Sequence, residues 1–387
     1  MHEELIADQF MKKVVITGQS GFMGTHLFNY LSYVKKDFEI IPFEDSFFED
    51  KPSLENVCRN ADAIVHLAAL NRHNDPDEIY RVNVGLVQKV IDACESAESK
   101  PHLVFASSTQ EDRDNAYGKS KREGRRLFEN WAARNGCRFT AMIIPNVFGP
   151  FGVPYYNSVV STFSHQLTHN ETPRIELDAA LDLIYINDLV KEFHAVLVGD
   201  HAGPHGEDAK IYNVPARSKY KVSEILSILE KFKADYFENG LIPRLSNDFE
   251  INLFNTFRSY IAESKFPIEL KMHSDERGSF VEVIKATIPG QSSFSTTRPG
   301  YTRGNHFHLR KIERFVVIKG KAKIELRKIG TNRVVSYVAD GERPSFVDMP
   351  VWYTHNITTI GNGDLITLFW SNEHYDPEDP DTYFEKV

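Results

Sequence analysis

One group of side chains in this 387-residue chain is spaced for metal chemistry. In GYTRGNHFHLRKIERFVVIKG, His306 and His308 stand two apart and Glu313 follows, all between Gly300 and Gly320. A further imidazole, His355, comes five residues after Pro350 in DMPVWYTHNI. Residues i and i+2 of a strand share a face, so the first two imidazoles would point the same way, with Glu313 supplied by the next strand. Two nitrogens of one strand, a carboxylate and a distant imidazole suit a borderline first-row cation such as Zn²⁺, with Mn²⁺ or Fe²⁺ as alternatives. An isolated HxH is compatible with ordinary polar strand positions. The flanking glycines and the company of Glu313 and His355 turn it into a candidate metal site.

The chain that must position these groups exceeds the size at which single cores stop growing, so two domains are expected. Apolar residues make up 41% and charged residues 26%, the proportions of an ordinary soluble globular protein. A net charge of −9 leaves no basic footprint for a polyphosphate backbone, which argues against a nucleic-acid partner. Cys58, Cys94 and Cys137 are odd in number and form no CxxC pair, as expected of reduced thiols in a cytoplasmic protein. No apolar run reaches membrane-spanning length. The opening MHEELIADQF is acidic and lacks signal-peptide regions, so residues 1–10 read as an extension outside the fold.

From Met11 the pattern is that of alternating strands and helices. Val14-Val15-Ile16 runs into TGQSGFMG and then the helix-like THLFNYLSYV, with Gly18, Gly21 and Gly24 in G-x-x-G-x-x-G spacing. Missing side chains there let the backbone turn sharply and approach a pyrophosphate at a helix N-terminus. ADAIVHLAAL (61–70) and HLVFASS (102–108) read as buried parallel strands, the second ending in Ser107 and Ser108.

These features resemble the extended short-chain dehydrogenase/reductase superfamily, and the resemblance implies a Rossmann-type α/β doubly wound parallel sheet binding a nicotinamide coenzyme. It implies cofactor contacts from Gly18, Ser20, Gly21, Phe22, Met23 and Gly24, from the adenine-contacting Asp62, from Leu67 and Ala68 lining the cleft, and from Tyr117 and Lys121. The catalytic set of that superfamily is matched by Ser108, Tyr117 and Lys121, the last two in Tyr-Gly-Lys-Ser-Lys. On a helix Tyr117 and Lys121 share a face one turn apart, so the ammonium lowers the phenol pKa while Ser108 orients the sugar oxygen. IIPNVFGP (143–150) resembles a segment of nucleotide-sugar members and makes Asn146 a substrate candidate, although Ile143 and Ile144 stand where an arginine often does. Ser108 is followed by Thr109 and Gln110, not by the Asp-Glu pair of dehydratases, which disfavours dehydration. Glu44 and Asp45, with no arginine nearby, suit a free ribose 2′-OH and therefore NADH.

Val222 to Phe232 reads as an amphipathic helix, after which periodicity fades from Asn239 to Lys265. The domain boundary is placed in Ser259 to Lys265, giving domains 11–260 and 261–387. From Phe266 short alternating segments with Gly and Pro turns read as an all-β barrel. Its two motifs resemble those of cupin jelly rolls, with Trp352 in place of a usual glycine and Thr359 in place of an asparagine. DERGSFVEV (275–283) resembles cupin epimerases of nucleotide-linked 4-keto-6-deoxy sugars, which makes Arg277 and Arg303 candidate substrate cations.

Over nearly its whole length, including the close Asp379-Pro380-Asp381-Thr382-Tyr383-Phe384, the chain resembles the bifunctional reductase/C3-epimerases of capsular polysaccharide and O-antigen synthesis. That family implies a UDP-linked 4-keto-6-deoxy-HexNAc substrate, C3 epimerisation in a zinc-holding cupin, and C4 reduction with NADPH to UDP-2-acetamido-2,6-dideoxy-L-talose. NADPH is the expectation and NADH, from Glu44, the alternative. A homodimer pairing through barrel edge strands is the expected assembly.

Overall fold

The computed structural model describes residues 11–199, 209–276, 278–284, 286 and 290–387. The expected extension over residues 1–10 and the candidate cation Arg277 lie outside the described residues. By contact the chain forms two units, one running through Val147 and resuming over Asp182–Arg217, the other made of Phe148–Leu181 and Ser218–Val387. The division expected at 260/261 therefore differs from the observed one: helices from before residue 260 go with the barrel.

The strands up to that point are β1 (Lys12–Thr17), β2 (Phe38–Ile41), β3 (Ala63–His66), β4 (His102–Ser108), β5 (Phe139–Ile144), β6 (Asn146–Phe148), β7 (Ala180–Tyr185), β8 (Ala209–Asn213) and β9 (Ser218–Lys221). The helices are α1 (Phe22–Asn29), α2 (Lys51–Asn60), α3 (Pro76–Ser96), α4 (Ala116–Asn135), α5 (Val159–Thr168), α6 (Ile186–Val198), α7 (Val222–Phe232) and α8 (Asp248–Arg258). In the first unit, six parallel strands take the order β2-β1-β3-β4-β5-β8. The chain leaves β1 toward β2 on one side and β3 on the other, so the crevice beyond the C-terminal ends of β1 and β3 is the topological switch point. The Rossmann-type expectation is met.

Local chemistry explains where the helices begin. Asp75 caps α3 by accepting from the Asp77 N–H at 3.0 Å, with Pro76 in the first turn. Asn115 caps α4 through the Gly118 N–H at 2.7 Å, and Gly136, at φ +60°, ends it. Val15, Ile64, Phe105, Phe128 and Trp131 belong to the apolar cluster between sheet and helices.

The second unit's remaining strands are β10 (Ile268–Glu269), β11 (Met272–Asp275), β12 (Gly278–Val281), β13 (Gln291–Thr297), β14 (Thr302–Phe307), β15 (Glu313–Lys319), β16 (Lys321–Lys328), β17 (Val334–Asp340), β18 (Ser345–Met349), β19 (Tyr353–Thr359), β20 (Leu365–Ser371) and β21 (Tyr383–Phe384). Two five-stranded sheets, β10-β18-β15-β20-β13 and β17-β16-β19-β14-β21, enclose a core of Phe315, Val317, Ile324, Leu326, Val347, Ile357 and Leu365. Pairings within both are antiparallel, as expected for a jelly roll.

A buried ion pair explains why the preceding helices belong to this unit. Arg314 on β15 donates to Asp348 on β18 at 2.8 and 2.9 Å, and both side chains are 1% exposed. The segment after α7 supplies Tyr236, whose hydroxyl donates to Asp348 at 2.5 Å, and the Gly240 carbonyl, which accepts from Arg314 at 2.9 Å. From α8, Arg258 donates to the Met349 carbonyl at 2.8 Å. The helix α8 contradicts the expectation of fading periodicity. Phe249, Leu253 and Phe257 recur every four residues and are buried, a signal that the surrounding polar residues hide.

Candidate active site and metal centre

At the end of β1 the chain turns at Gly18, φ +67°, where a Cβ would lie 2.9 Å from the Ala68 backbone. A Cβ on Gly24 would lie 2.2 Å from the Gly18 carbonyl, so α1 starts flush against the turn. Bare backbone at the N-terminus of α1, at the switch point, is what a pyrophosphate requires. The residues present therefore fit a nicotinamide dinucleotide. Ser20 donates to Asp45 at 3.0 Å, while Phe22 and Met23 form the first turn of α1. Leu67 and Ala68 follow β3 directly, the Leu67 N–H bonding Thr17 O at 3.3 Å.

Asp62 is a correction. It precedes β3, and its carboxylate accepts from the Lys13 N–H, at the start of β1, at 2.7 Å. Because the strands are parallel, that is the edge of the sheet opposite the glycine turn. The strand length separates Asp62 from any adenine bound there.

Ser108 ends β4, and its Oγ accepts from the Gln110 N–H at 3.2 Å. Tyr117 and Lys121 lie one turn apart in α4, with the ammonium 5.7 Å from the Tyr117 ring centroid and 5.0 Å from that of Phe105. Lys121 is 4% exposed and donates to the Ala106 carbonyl at 2.9 Å. Burial pushes its pKa down to about 8, opposed by the Glu111 carboxylate. His66, at the end of β3, is held neutral: burial first and the Lys121 charge second push its pKa down to about 3.

Glu111 was absent from the sequence-derived set. It is 6% exposed, accepts from Ser107 Oγ, and receives Arg125 Nε and Nη2 on Oε2 at 3.0 and 2.9 Å. Its cation comes from fourteen residues away on the next helix, so no local motif announces the pair. Asn146 stands at the start of β6, exposed, donating to the Asp182 carbonyl at 3.1 Å.

In the barrel, His306, His308, Glu313 and His355 bring one ligand atom each to within 4.8 Å of one another. β14 and β19 pair directly, with His306 opposite His355, and Glu313 opens β15. His308 Nδ1 lies 2.6 Å from the Asp381 carbonyl and His355 Nδ1 lies 3.2 Å from that of Tyr353. A carbonyl only accepts, so both Nδ1 atoms carry the proton and both Nε2 atoms present lone pairs. Those Nε2 atoms lie 3.0 and 3.5 Å from Glu313 Oε2, yet none of the three has an aligned hydrogen bond. Buried polar atoms converging without partners are what a cation satisfies. His306 is neutral, its pKa pushed down to about 3 chiefly by burial.

Arg303 is turned toward β13, donating from Nε to Thr297 Oγ1 at 3.0 Å and from Nη2 to the Thr296 carbonyl at 3.1 Å. Trp352 takes φ +62°, which explains the usual glycine at that position. Here a fully buried indole stacked on Phe307, centroids 5.6 Å apart, holds the strained backbone.

The family described as NAD dependent epimerase/dehydratase matches residues 14–214, more than half of the chain. The chain belongs to that family. A second match, described as Polysaccharide biosynthesis C-terminal domain, covers residues 273–383. Within this family, the UDP-2-acetamido-2,6-beta-L-arabino-hexul-4-ose reductase of Pseudomonas aeruginosa is 34% identical over 372 residues, spanning 96% of this chain and 98% of its own. The crystal structure of the capsular polysaccharide assembling protein CapF from Staphylococcus aureus is similar over 97% of this chain and 100% of its own, at 34% identity and a TM-score of 0.62. A structure of RMD from Pseudomonas aeruginosa complexed with NADPH covers 58% of this chain and 82% of its own, at 21% identity and a TM-score of 0.51, a likeness of fold. Among the described residues no helix is long and apolar enough to cross a membrane.

Proposed function

We propose that the chain is a bifunctional nucleotide-sugar enzyme. The parallel-sheet unit reduces the C4 ketone of a UDP-2-acetamido-2,6-dideoxy-4-keto-hexose with NADPH, NADH being the alternative, and the barrel epimerises C3, giving UDP-2-acetamido-2,6-dideoxy-L-talose. One observation carries the reading: a buried Lys121 ammonium one turn from Tyr117, beside the strand end that holds Ser108, in a fold with a bare glycine turn at its switch point. The 34% identical relative, named as a UDP-2-acetamido-2,6-beta-L-arabino-hexul-4-ose reductase, supports the substrate class.

A reduced nicotinamide dinucleotide, its pyrophosphate held against Gly18, Gly21 and Gly24, would supply the hydride. Tyr117 gives the proton to the C4 oxygen, Ser108 orients that oxygen, and Lys121 stabilises the phenolate left behind. Asn146 and Arg303 are the residues proposed to meet the substrate. In the barrel, His306, His308, Glu313 and His355 hold Zn²⁺ or another divalent cation. A cation there would stabilise charge developing next to C3 or hold the barrel together. If it takes all four residues, neither His306 nor His308 is free to be the C3 base. Epimerisation alone equilibrates two ketones of similar energy; reduction then removes one isomer as an alcohol and draws the first step forward.

We further propose a cytoplasmic homodimer, to which the edge strand β17, with exposed Val334 and Val338, contributes an apolar rim.

The test uses the full-length chain, because the barrel shares its unit with α7 and α8. Reduced-nicotinamide absorbance is followed with NADPH and NADH in parallel and a UDP-4-keto-6-deoxy-HexNAc, and the product is identified by NMR. Without nicotinamide, the same mixture in D₂O should place deuterium at C3. No oxidation of either coenzyme overturns the reductase assignment, and no deuterium at C3 leaves the barrel a binding or dimerising module.

A further inference from the structure

The tail segment around Asp381 has no role in the scheme above, yet it is bound tightly to the candidate metal centre. Asp381 is 2% exposed and takes φ +42°, a left-handed backbone unusual for a residue other than glycine. Its carboxylate accepts three successive backbone N–H groups: Leu309 at 3.1 Å on Oδ1, then Arg310 at 3.0 Å and Lys311 at 2.8 Å on Oδ2. Its own carbonyl accepts from His308 Nδ1 at 2.6 Å. One residue therefore gathers the turn between His308 and Glu313 and also sets which His308 nitrogen carries the proton.

Neighbouring contacts hold the segment in register. Arg310 Nη1 reaches Asp379 at 2.9 Å and Lys311 Nζ donates to the Pro380 carbonyl at 2.6 Å. β21 then pairs with the metal-bearing strand, His306 opposite Phe384 and Phe307 opposite Tyr383, and the Tyr383 ring stacks on Phe307 with centroids 5.3 Å apart. The Glu385 N–H closes the run on the Asn305 carbonyl at 3.0 Å.

We infer that Asp381 is a positioning residue of the metal centre, its carboxylate fixing the turn after His308 and its carbonyl aiming His308 Nε2 at the cation. The left-handed backbone has a reason in this arrangement: it lets carbonyl and carboxylate of a single residue face the same turn. Strain of this kind persists where surrounding contacts over-determine the conformation. Partners that orient a metal-binding imidazole typically change affinity by about 10- to 100-fold when lost. The inference rests on the reading of His306, His308, Glu313 and His355 as metal ligands.

Zinc binding is measured directly on full-length wild type, Asp381→Asn and Asp381→Gly, by competition with a colorimetric chelator. Asp381→Asn keeps the shape and removes the charge, whereas Asp381→Gly deletes the side chain and relieves the backbone strain. Both should bind Zn²⁺ about 10- to 100-fold more weakly than wild type at unchanged stoichiometry. Variants that melt at lower temperature without zinc but bind it with wild-type affinity overturn the inference, since they leave Asp381 a fold-holding residue only. A wild-type chain that takes up no zinc overturns the metal reading itself. Should both variants fail to fold, hydrogen exchange on the wild type decides. Zinc loading should slow the Leu309, Arg310 and Lys311 amides together with those of Tyr383 and Phe384, and protection confined to the ligand strands refutes the coupling.

Discussion

Replacing Gly118 by alanine sets two effects against each other at the residue next to Tyr117. Alanine is the better helix former by about 1 kcal/mol, so propensity alone predicts a stabilised α4. The site has no room for it: a Cβ would lie 2.0 Å from the Gln110 carbonyl oxygen and 3.1 Å from that of Arg113, against the 3.4 Å of ordinary contact. Both obstacles are backbone, in the turn that follows Ser108, so no side chain can swing aside. Relief requires the start of α4 and that turn to part by about 1.4 Å. Overpacking of this kind costs about 1–3 kcal/mol, enough to cancel the propensity gain and leave the variant less stable. Tyr117 moves with the helix, and a displacement of about 1 Å at a reacting group costs on the order of 100-fold in rate. The assay is steady-state reduction of the keto sugar with thermal melting alongside. Turnover should fall about 100-fold, because Tyr117 gives its proton in the transition state. Gly85, inside α3, is the control: nothing lies within 4 Å of its added Cβ, so Gly85→Ala should stabilise by about 0.5–1 kcal/mol with normal turnover. A Gly118→Ala protein as stable and active as wild type would refute the steric argument.

Asp348→Asn should destabilise the second unit by about 3–5 kcal/mol in urea melts, since it leaves Arg314 buried without its counter-charge. The double variant Arg314→Met/Asp348→Leu should cost less, and an asparagine variant within about 0.5 kcal/mol of wild type would discount the pair. Burial raises the Asp348 pKa, but Arg314 prevails and holds it below the ordinary value in the folded state. Its stabilisation is therefore present above the unfolded pKa of about 3.9 and lost as pH falls below it. Glu111→Gln removes the charge that opposes burial at Lys121, whose pKa is about 8. The ammonium should then be lost at lower pH, and the alkaline limb of the turnover–pH profile should move toward acid. An unmoved limb with a lowered melting temperature would assign Glu111 to structure alone.

Which features the sequence carried, and which it hid, follows from how far each interaction reaches along the chain. The glycine turn, the Tyr117–Lys121 spacing and the pair His306 and His308 are local: one backbone conformation brings each set together, so spacing alone exposes them. Glu313 and His355 belong to other strands, yet antiparallel pairing with turn glycines at fixed distances keeps them legible. Glu111 with Arg125 and Asp348 with Arg314 have no such regularity. Each is a charge buried against a partner that only the tertiary fold supplies, and a sequence shows it as one more surface residue.

Asp62 fails for a different reason, and the failure is instructive. The stretch around it forms the expected strand, but a cofactor contact also depends on which end of that strand faces the ligand. In a parallel sheet every strand delivers its C-terminal end to the same edge, so residues after β3, such as Leu67 and Ala68, face the glycine turn. A residue before β3 faces away, whatever motif it completes. The Asp62 carboxylate meets the Lys13 N–H at the start of β1 instead, helping to set the register of the two strands. Asp381 is the complementary case. It lies more than seventy residues from His308 in sequence and a single 2.6 Å hydrogen bond from it in space, so only the fold reveals that its carbonyl can steer the imidazole while its side chain fixes the turn that follows.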